Sequence, residues 1–131
     1  MTINQREIAI GLAPTAHYQY AQRVGNQLFV AGQVPHNSGA EIVGVGDRRS
    51  QATQCLHNLR QLLHLYGFKE TDIRKLTIYV VGNSAELADA WQEITAWFNN
   101  NVPPATLLGV ASLGYENQLV EIDATVIRIG P

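Results

Sequence analysis

Two carboxylates two residues apart, Glu121 and Asp123, stand in a run that alternates apolar with polar residues, Gln118-Leu-Val-Glu-Ile-Asp-Ala-Thr-Val-Ile-Arg-Ile129. A period of two puts both on one face of a strand, opposite Val120, Ile122, Ala124 and Val126. A carboxylate half-withdrawn from water can place a water molecule or move a proton, and Glu121 is the group singled out for that work. The competing reading is an interface carboxylate held by backbone donors. Tyr18 offers a phenolic donor, or plain packing at a strand edge. Of the four histidines, His57 and His64 are seven apart, about two helical turns, where two ligands of one metal need a spacing of about four. No metal and no cofactor are expected. His17, beside Tyr18, reads as a loop histidine or as part of a cleft mouth. The single cysteine, Cys55, lies close to an apolar stripe with no histidine or acid at an activating spacing, so it reads as a small buried hydrophobe. Arg48 and Arg49 open a helix whose dipole opposes them, either solvated or binding an anionic ligand or a neighbouring subunit's acid. Gly44-Val-Gly46-Asp47 is too sparse for a phosphate fingerprint.

The elements that must position these groups follow from periodicity. Gln27–Val34 is a β-rich run bounded by Gly25-Asn26 and Pro35, and predicts a strand. Pro35, Asn37, Ser38, Gly39, Gly44 and Gly46 make 34–47 a mobile connection. Ala52, Leu56, Leu59, Leu63 and Tyr66 recur at three- and four-residue steps, predicting a helix from Asp47 or Ser50 to a stop at Gly67. A second helix is expected from Ser84 to Asn100, with Leu87, Trp91, Ile94 and Trp97 on one stripe. Ile73–Val81 reads as a buried strand, Ala105–Ser112 as another, and one or two more are expected near the N-terminus. The last strand's second face carries Leu119, Glu121, Asp123, Thr125, Ile127 and Ile129, too apolar to be simply solvated and too charged to be core. The sum is an α+β sandwich with two helices on one sheet face.

Composition bounds the rest. With 131 residues, 46% hydrophobic, the chain predicts one domain spanning 1–131. Only 15% is charged, so part of the surface is expected to lie under another subunit. A net charge of −2 leaves no basic excess for phosphate contacts, and nucleic acid is not an expected partner. The first residues lack the apolar stretch of a secretory signal, and no apolar run approaches the ~20 residues of a membrane span. A cytoplasmic protein with no membrane partner is expected.

Tyr18, Gly25-Asn26, Leu28-Phe-Val-Ala-Gly-Gln-Val-Pro35, the helix to Gly67, Lys75-Leu-Thr-Ile-Tyr-Val80, Pro104-Ala105 and Val120-Glu-Ile-Asp-Ala124 occur in an order that resembles the RidA/YjgF family, whose older name is endoribonuclease L-PSP-like. The resemblance runs from Tyr18 to Ile127. It implies a chorismate-mutase-like fold, a homotrimer, and clefts between subunits that bind a small molecule. Relatives with deaminase activity hydrolyse enamines and imines such as 2-aminoacrylate, and clamp the substrate carboxylate with an arginine just after Pro-Ala. Here Pro104-Ala105 is followed by Thr106-Leu107-Leu108, and no arginine occurs between Arg74 and Arg128. Ala105 or Thr106 therefore stands in the arginine's slot. The serine often seen before Gly-Gln is Ala31, and an asparagine of the second helix is Trp91. The resemblance implies Glu121 as the catalytic carboxylate, with Tyr18 and Gly32 beside the substrate. Two functions remain open: a hydrolase with a changed substrate and weak 2-aminoacrylate turnover, or a non-catalytic trimer that binds a metabolite or a partner protein. Ribonuclease activity is the weakest reading, for want of a cationic phosphate-cleaving cluster.

Overall fold

The alternating run after Gln118 becomes β5 (Val120–Ile127), the middle strand of a five-stranded sheet in the computed structural model, which describes residues 3–130. The sheet runs β1 (Ala21–Val24), β2 (Gln27–Val30), β5, β3 (Ile73–Val81), β4 (Ala105–Val110). Every neighbouring pair is antiparallel except β3 and β4, which are parallel. A parallel pair needs a crossover, and α3 (Ser84–Trp97) supplies it.

Both long helices lie on one face, α2 (Arg48–Leu65) over β5 and α3 over β3 and β4. The cause is visible in the alternation. Val120, Ile122 and Val126 of β5 stand beside Ile78, Leu76 and Val80 of β3, all fully enclosed, and meet Cys55, Leu56, Leu59 and Leu63 of α2 and Ala90 and Ile94 of α3. Truncating one of these, such as Ile122, to alanine costs about 3 kcal/mol.

The helix starts are chemically specified. The Asp47 side chain accepts from the amides of Arg49 and Ser50, so Asp47 rather than Ser50 is the N-cap of α2. Asn83 and Glu86 exchange side-chain to backbone bonds in a capping box at α3. Arg48 and Arg49 then tie the helices together: Arg48 pairs with Glu86 at 3.0 Å and donates to the Val81 carbonyl, while Arg49 pairs with Asp89 and Glu93. The end of α2 is held by three guanidinium groups from distant segments. Arg6 donates to the Leu65 carbonyl, Arg23 to that of Tyr66 and Arg128 to that of Gly67, at 3.0–3.2 Å. Positive charge is favoured at that end of a helix.

Four expectations change in detail. β2 ends at Val30, because the Ala31 amide turns to the Tyr20 carbonyl and the chain rejoins β5 only through a Gln33 to Ile122 bridge. β4 stops at Val110, and α3 ends at Trp97 rather than Asn100, because Asn99 and Asn100 take left-handed φ of 52° and 61°. The connection 34–47, read as mobile, is pinned: the Asn37 side chain accepts from the amides of Gly39 and Glu41, and Asn58 of α2 donates to the carbonyls of Val34 and His36. Near the N-terminus the structure adds a short helix, α1 (Gln5–Ala9), which lacks a periodic stripe and is held instead by buried Glu7 accepting from the Tyr66 hydroxyl at 2.6 Å.

Candidate functional site

Sheet register decides which side chains share the face that the helices leave open. Because Val120 and Ile122 point into the core, Glu121 and Asp123 point away from it. Across the strands, Tyr79 lies between Glu121 and Leu108, and Thr77 between Asp123 and Thr106. Phe29 is paired with Thr125 in the next row. Phe29, Leu108 and Val24 are 53%, 42% and 62% exposed, so large apolar side chains stand in solvent on this face.

Glu121 is held from two sides. Where the chain leaves β2 it passes Gly32 directly under the carboxylate, so close that a Cβ on Gly32 would overlap Oε2 and lie 2.8 Å from Cδ. From the other side, buried Gln118 donates to Glu121 Oε1 at 3.2 Å and to the Val120 carbonyl, while its own carbonyl oxygen accepts from the Tyr115 amide. The loop that carries Gln118 is stapled in turn by Gln51 of α2. That fully buried side chain donates to the Gly44 and Asn117 carbonyls and accepts from the Leu119 amide at 2.7 Å. Neither Glu121 nor Asp123 joins a salt bridge among the described residues. Burial pushes the Asp123 carboxyl above its ordinary range, with the Ala124 amide offsetting part of the effect.

Tyr18 stands nearby with its hydroxyl 3.5 Å from that of Tyr115. Burial, then the Tyr115 hydroxyl, raise the Tyr18 phenol well above its usual range, and the charge of Glu121 adds to the shift. Tyr18 therefore stays a protonated donor. The Tyr115 ring rests edge-on against His36, centroids 4.6 Å apart, and burial lowers the affinity of His36 for a proton. On its other side Tyr18 borders a groove of about 530 Å³ whose lining includes His17, Gln22, Phe29 and Ala31, with no lysine or arginine.

A sequence model described as endoribonuclease L-PSP matches residues 9–128. The chain belongs to that family, the RidA/YjgF proteins. Among its relatives, the 2-iminobutanoate/2-iminopropanoate deaminase of Escherichia coli is 30% identical over 127 residues, covering 94% of this chain and 98% of that one. A RutC family protein of Pyrococcus horikoshii is 29% identical over 117 residues, 88% and 90% of the two chains. The crystal structure of the Escherichia coli YjgF gene product superposes with a TM-score of 0.80 at 27% identity over 98% of each chain. The RidA/YjgF fold expected from the sequence is the fold observed.

Seen within that fold, the residues named from sequence separate into two groups. Tyr18, Gly32 and Glu121 are gathered in one chain. Thr106 is not with them: it lies two strands and one row from Glu121, about 12 Å away at ordinary sheet spacings. Ala105 pairs with buried Leu76 and so points to the helix side, which leaves Thr106 on the open face. Trp91 packs against the core cluster and is absent from the groove lining. Cys55 is buried under the site, its thiol donating to the Gln33 carbonyl at 3.2 Å, and burial pushes its pKa up, as a structural cysteine requires. Among the described residues no group of three His, Cys, Asp or Glu gathers to hold a metal, and no helix is long and apolar enough to cross a membrane. Neither Tyr115 nor Gln118 was singled out as a site residue in the sequence reading. Gln118 opens the alternating run and was legible as its first polar residue, whereas nothing in Gly114-Tyr-Glu-Asn117 marks Tyr115 as anything but turn.

Proposed function

We propose that the chain assembles as a homotrimer through the open sheet face and hydrolyses an imine or enamine in clefts between subunits. Exposed Phe29, Leu108 and Val24 give that face a reason to be covered. The 12 Å gap between Thr106 and Glu121 is then bridged by a neighbouring copy, so that each cleft draws on two chains. In this reading Glu121 is the catalytic carboxylate, Tyr18 and Gly32 bind substrate, and Thr106, rather than Ala105, fills the slot of the clamping arginine.

The observation that carries the reading is the carboxylate of Glu121, fixed over Gly32 and oriented by Gln118 through one oxygen. The other oxygen accepts no hydrogen bond from the described residues and is free to order a water. That water adds to the C=N carbon, its two protons pass in turn by way of Glu121 to the nitrogen, the C–N bond breaks, and a carbonyl compound and ammonia leave. Relatives named as 2-iminobutanoate/2-iminopropanoate deaminases support the reaction class. The groove beside Tyr18 has no lysine or arginine in its lining to support the ribonuclease of the family's older name.

The substrate is a changed one. Loss of a bidentate arginine contact costs about 2 to 4 kcal/mol, roughly thirty- to a thousand-fold in kcat/KM for a carboxylate substrate. Freshly generated 2-aminoacrylate is accordingly hydrolysed slowly, and turnover at the rate of an arginine-bearing relative refutes the assignment. Light scattering at micromolar concentration is expected to give the mass of a trimer; a monomer defeats the cleft model. The absence of any arginine between Arg74 and Arg128 favours a second reading, a trimer that binds a metabolite or a partner protein without turnover. Glu121→Gln separates the two. A chemical Glu121 loses turnover with assembly and Tm unchanged, whereas a structural one loses a kcal/mol or more of stability.

A further inference from the structure

We infer that Tyr115 sets the substrate class of this cleft: with Tyr18 it presents two phenolic donors to one carbonyl-type oxygen, so the cleft takes an uncharged imine or enamine bearing an amide or ester. The inference rests on the cleft reading above and specifies its ligand.

The hydroxyls of Tyr18 and Tyr115 are 3.5 Å apart, well beyond the 2.7–2.8 Å typical of O–H···O bonds, so only a weak bond joins them, which an acceptor at ordinary distance displaces. One acceptor oxygen can sit at about 2.8 Å from both, completing a narrow triangle. Burial keeps the Tyr18 phenol protonated at any physiological pH, so it donates without supplying charge. Tyr115 cannot swing away cheaply. Its ring is packed edge-on against buried His36, and its amide is bonded to Gln118, the residue that also orients Glu121.

The surrounding charges point the same way. Glu121 is near Tyr18, Asp123 is two residues further along β5, and neither has a cationic partner among the described residues. Lys75, which shares the open face, pairs with Thr125, about 13 Å along the sheet from Glu121. A substrate carboxylate entering here meets two like charges and, among the described residues of this chain, no guanidinium paired with them. A neutral carbonyl meets two donors. The relatives named as deaminases act on 2-iminobutanoate and 2-iminopropanoate, which carry a carboxylate, so this chain has exchanged an ionic grip for a dipolar one.

The test is a matched pair of product analogues, 2-oxobutanoate and 2-oxobutanamide, titrated calorimetrically into the full chain at its native oligomeric state. The amide is expected to bind at least about tenfold tighter than the acid, and Tyr115→Phe, which keeps the ring against His36, to weaken the amide about fivefold and leave the acid unchanged. Should Tyr115→Phe fail to fold, Tyr18→Phe gives the same reading, since either removes one of the two donors. An acid that binds as tightly as the amide, or an amide affinity indifferent to both substitutions, overturns the inference while leaving the cleft in place. If neither compound binds to a correctly assembled protein, the cleft reading falls and the inference with it.

Discussion

Replacing Gln51 by methionine isolates the polar staple beneath the candidate site. Methionine matches the length of glutamine and fills the same enclosed space, so the change removes hydrogen bonds without opening a cavity. Three bonds are lost: donation to the Gly44 carbonyl at 3.2 Å and to the Asn117 carbonyl at 3.0 Å, and acceptance from the Leu119 amide at 2.7 Å. At about 1 kcal/mol each, offset in part by the easier burial of a thioether, the net cost is about 2 to 3 kcal/mol. An unfolding entropy near 2.1 cal/mol/K per residue converts 2.5 kcal/mol into a drop in Tm of about 9 °C for 131 residues. Calorimetry at matched protein concentration measures the drop, since assembly makes Tm concentration-dependent. Hydrogen exchange at the Leu119 amide locates it, because that amide alone among the three partners is a donor. Gln51→Glu keeps the acceptor and loses both donors, so it protects the Leu119 amide while still losing stability. A Tm within about 3 °C of wild type, with the Leu119 amide still slow in Gln51→Met, refutes the view that this side chain organises the loop.

Gly32→Ala has an ordinary backbone conformation available, so its Cβ forces only the Glu121 carboxylate aside; stability is expected to change by less than about 1 kcal/mol while function falls to the level of Glu121→Gln. Additive losses in the double variant, measured by turnover or ligand-induced Tm shift, argue against that route. Asp123 has a folded pKa raised above its unfolded value, so the folded state holds that proton more tightly and stability falls as pH rises from about 4 through the raised value. Asp123→Asn is expected to be more stable than wild type at pH 7 and to flatten the denaturation profile across that window; equal or lower stability at pH 7 contradicts it. Thr106→Arg restores a guanidinium on the open face and is expected to confer affinity for 2-keto acids, with unchanged calorimetric titrations counting against Thr106 as the slot.

How much of this was readable in advance depended on whether a residue's role was set by its own strand or by another part of the chain. Glu121 was legible because period-two alternation with Val120 and Ile122 fixes its face without help. The β3 limits, Ile73 and Val81, were legible for the same local reason, while the α2 start was narrowed to Asp47 or Ser50. The choice between Ala105 and Thr106 was not, because it turns on the register of β4 against β3, which pairs Ala105 with core Leu76 and is set across the α3 crossover. Tyr115 was illegible for a like reason. Its neighbours Tyr18 and His36 are 97 and 79 positions away, and a turn sequence carries no trace of what it will fold against. Arg48 and Arg49 were read as solvated, or as binding an anionic ligand or a neighbouring subunit's acid, whereas acids on α3 neutralise them, a pairing that needs both helices to be placed first.

The three guanidinium groups at the end of α2 bind the history of the molecule as well as its shape. Arg6 belongs to the first helix, Arg23 to the first strand and Arg128 to the last few residues, and each reaches a carbonyl 43 to 61 positions distant. Contacts that close such long loops form late in folding and open early. Both chain ends are thus moored to one turn of one helix. When that turn frays, the segments carrying Arg6 and Arg128 lose their anchor together, so they are expected to behave as one cooperative unit in hydrogen exchange despite their distance in the sequence.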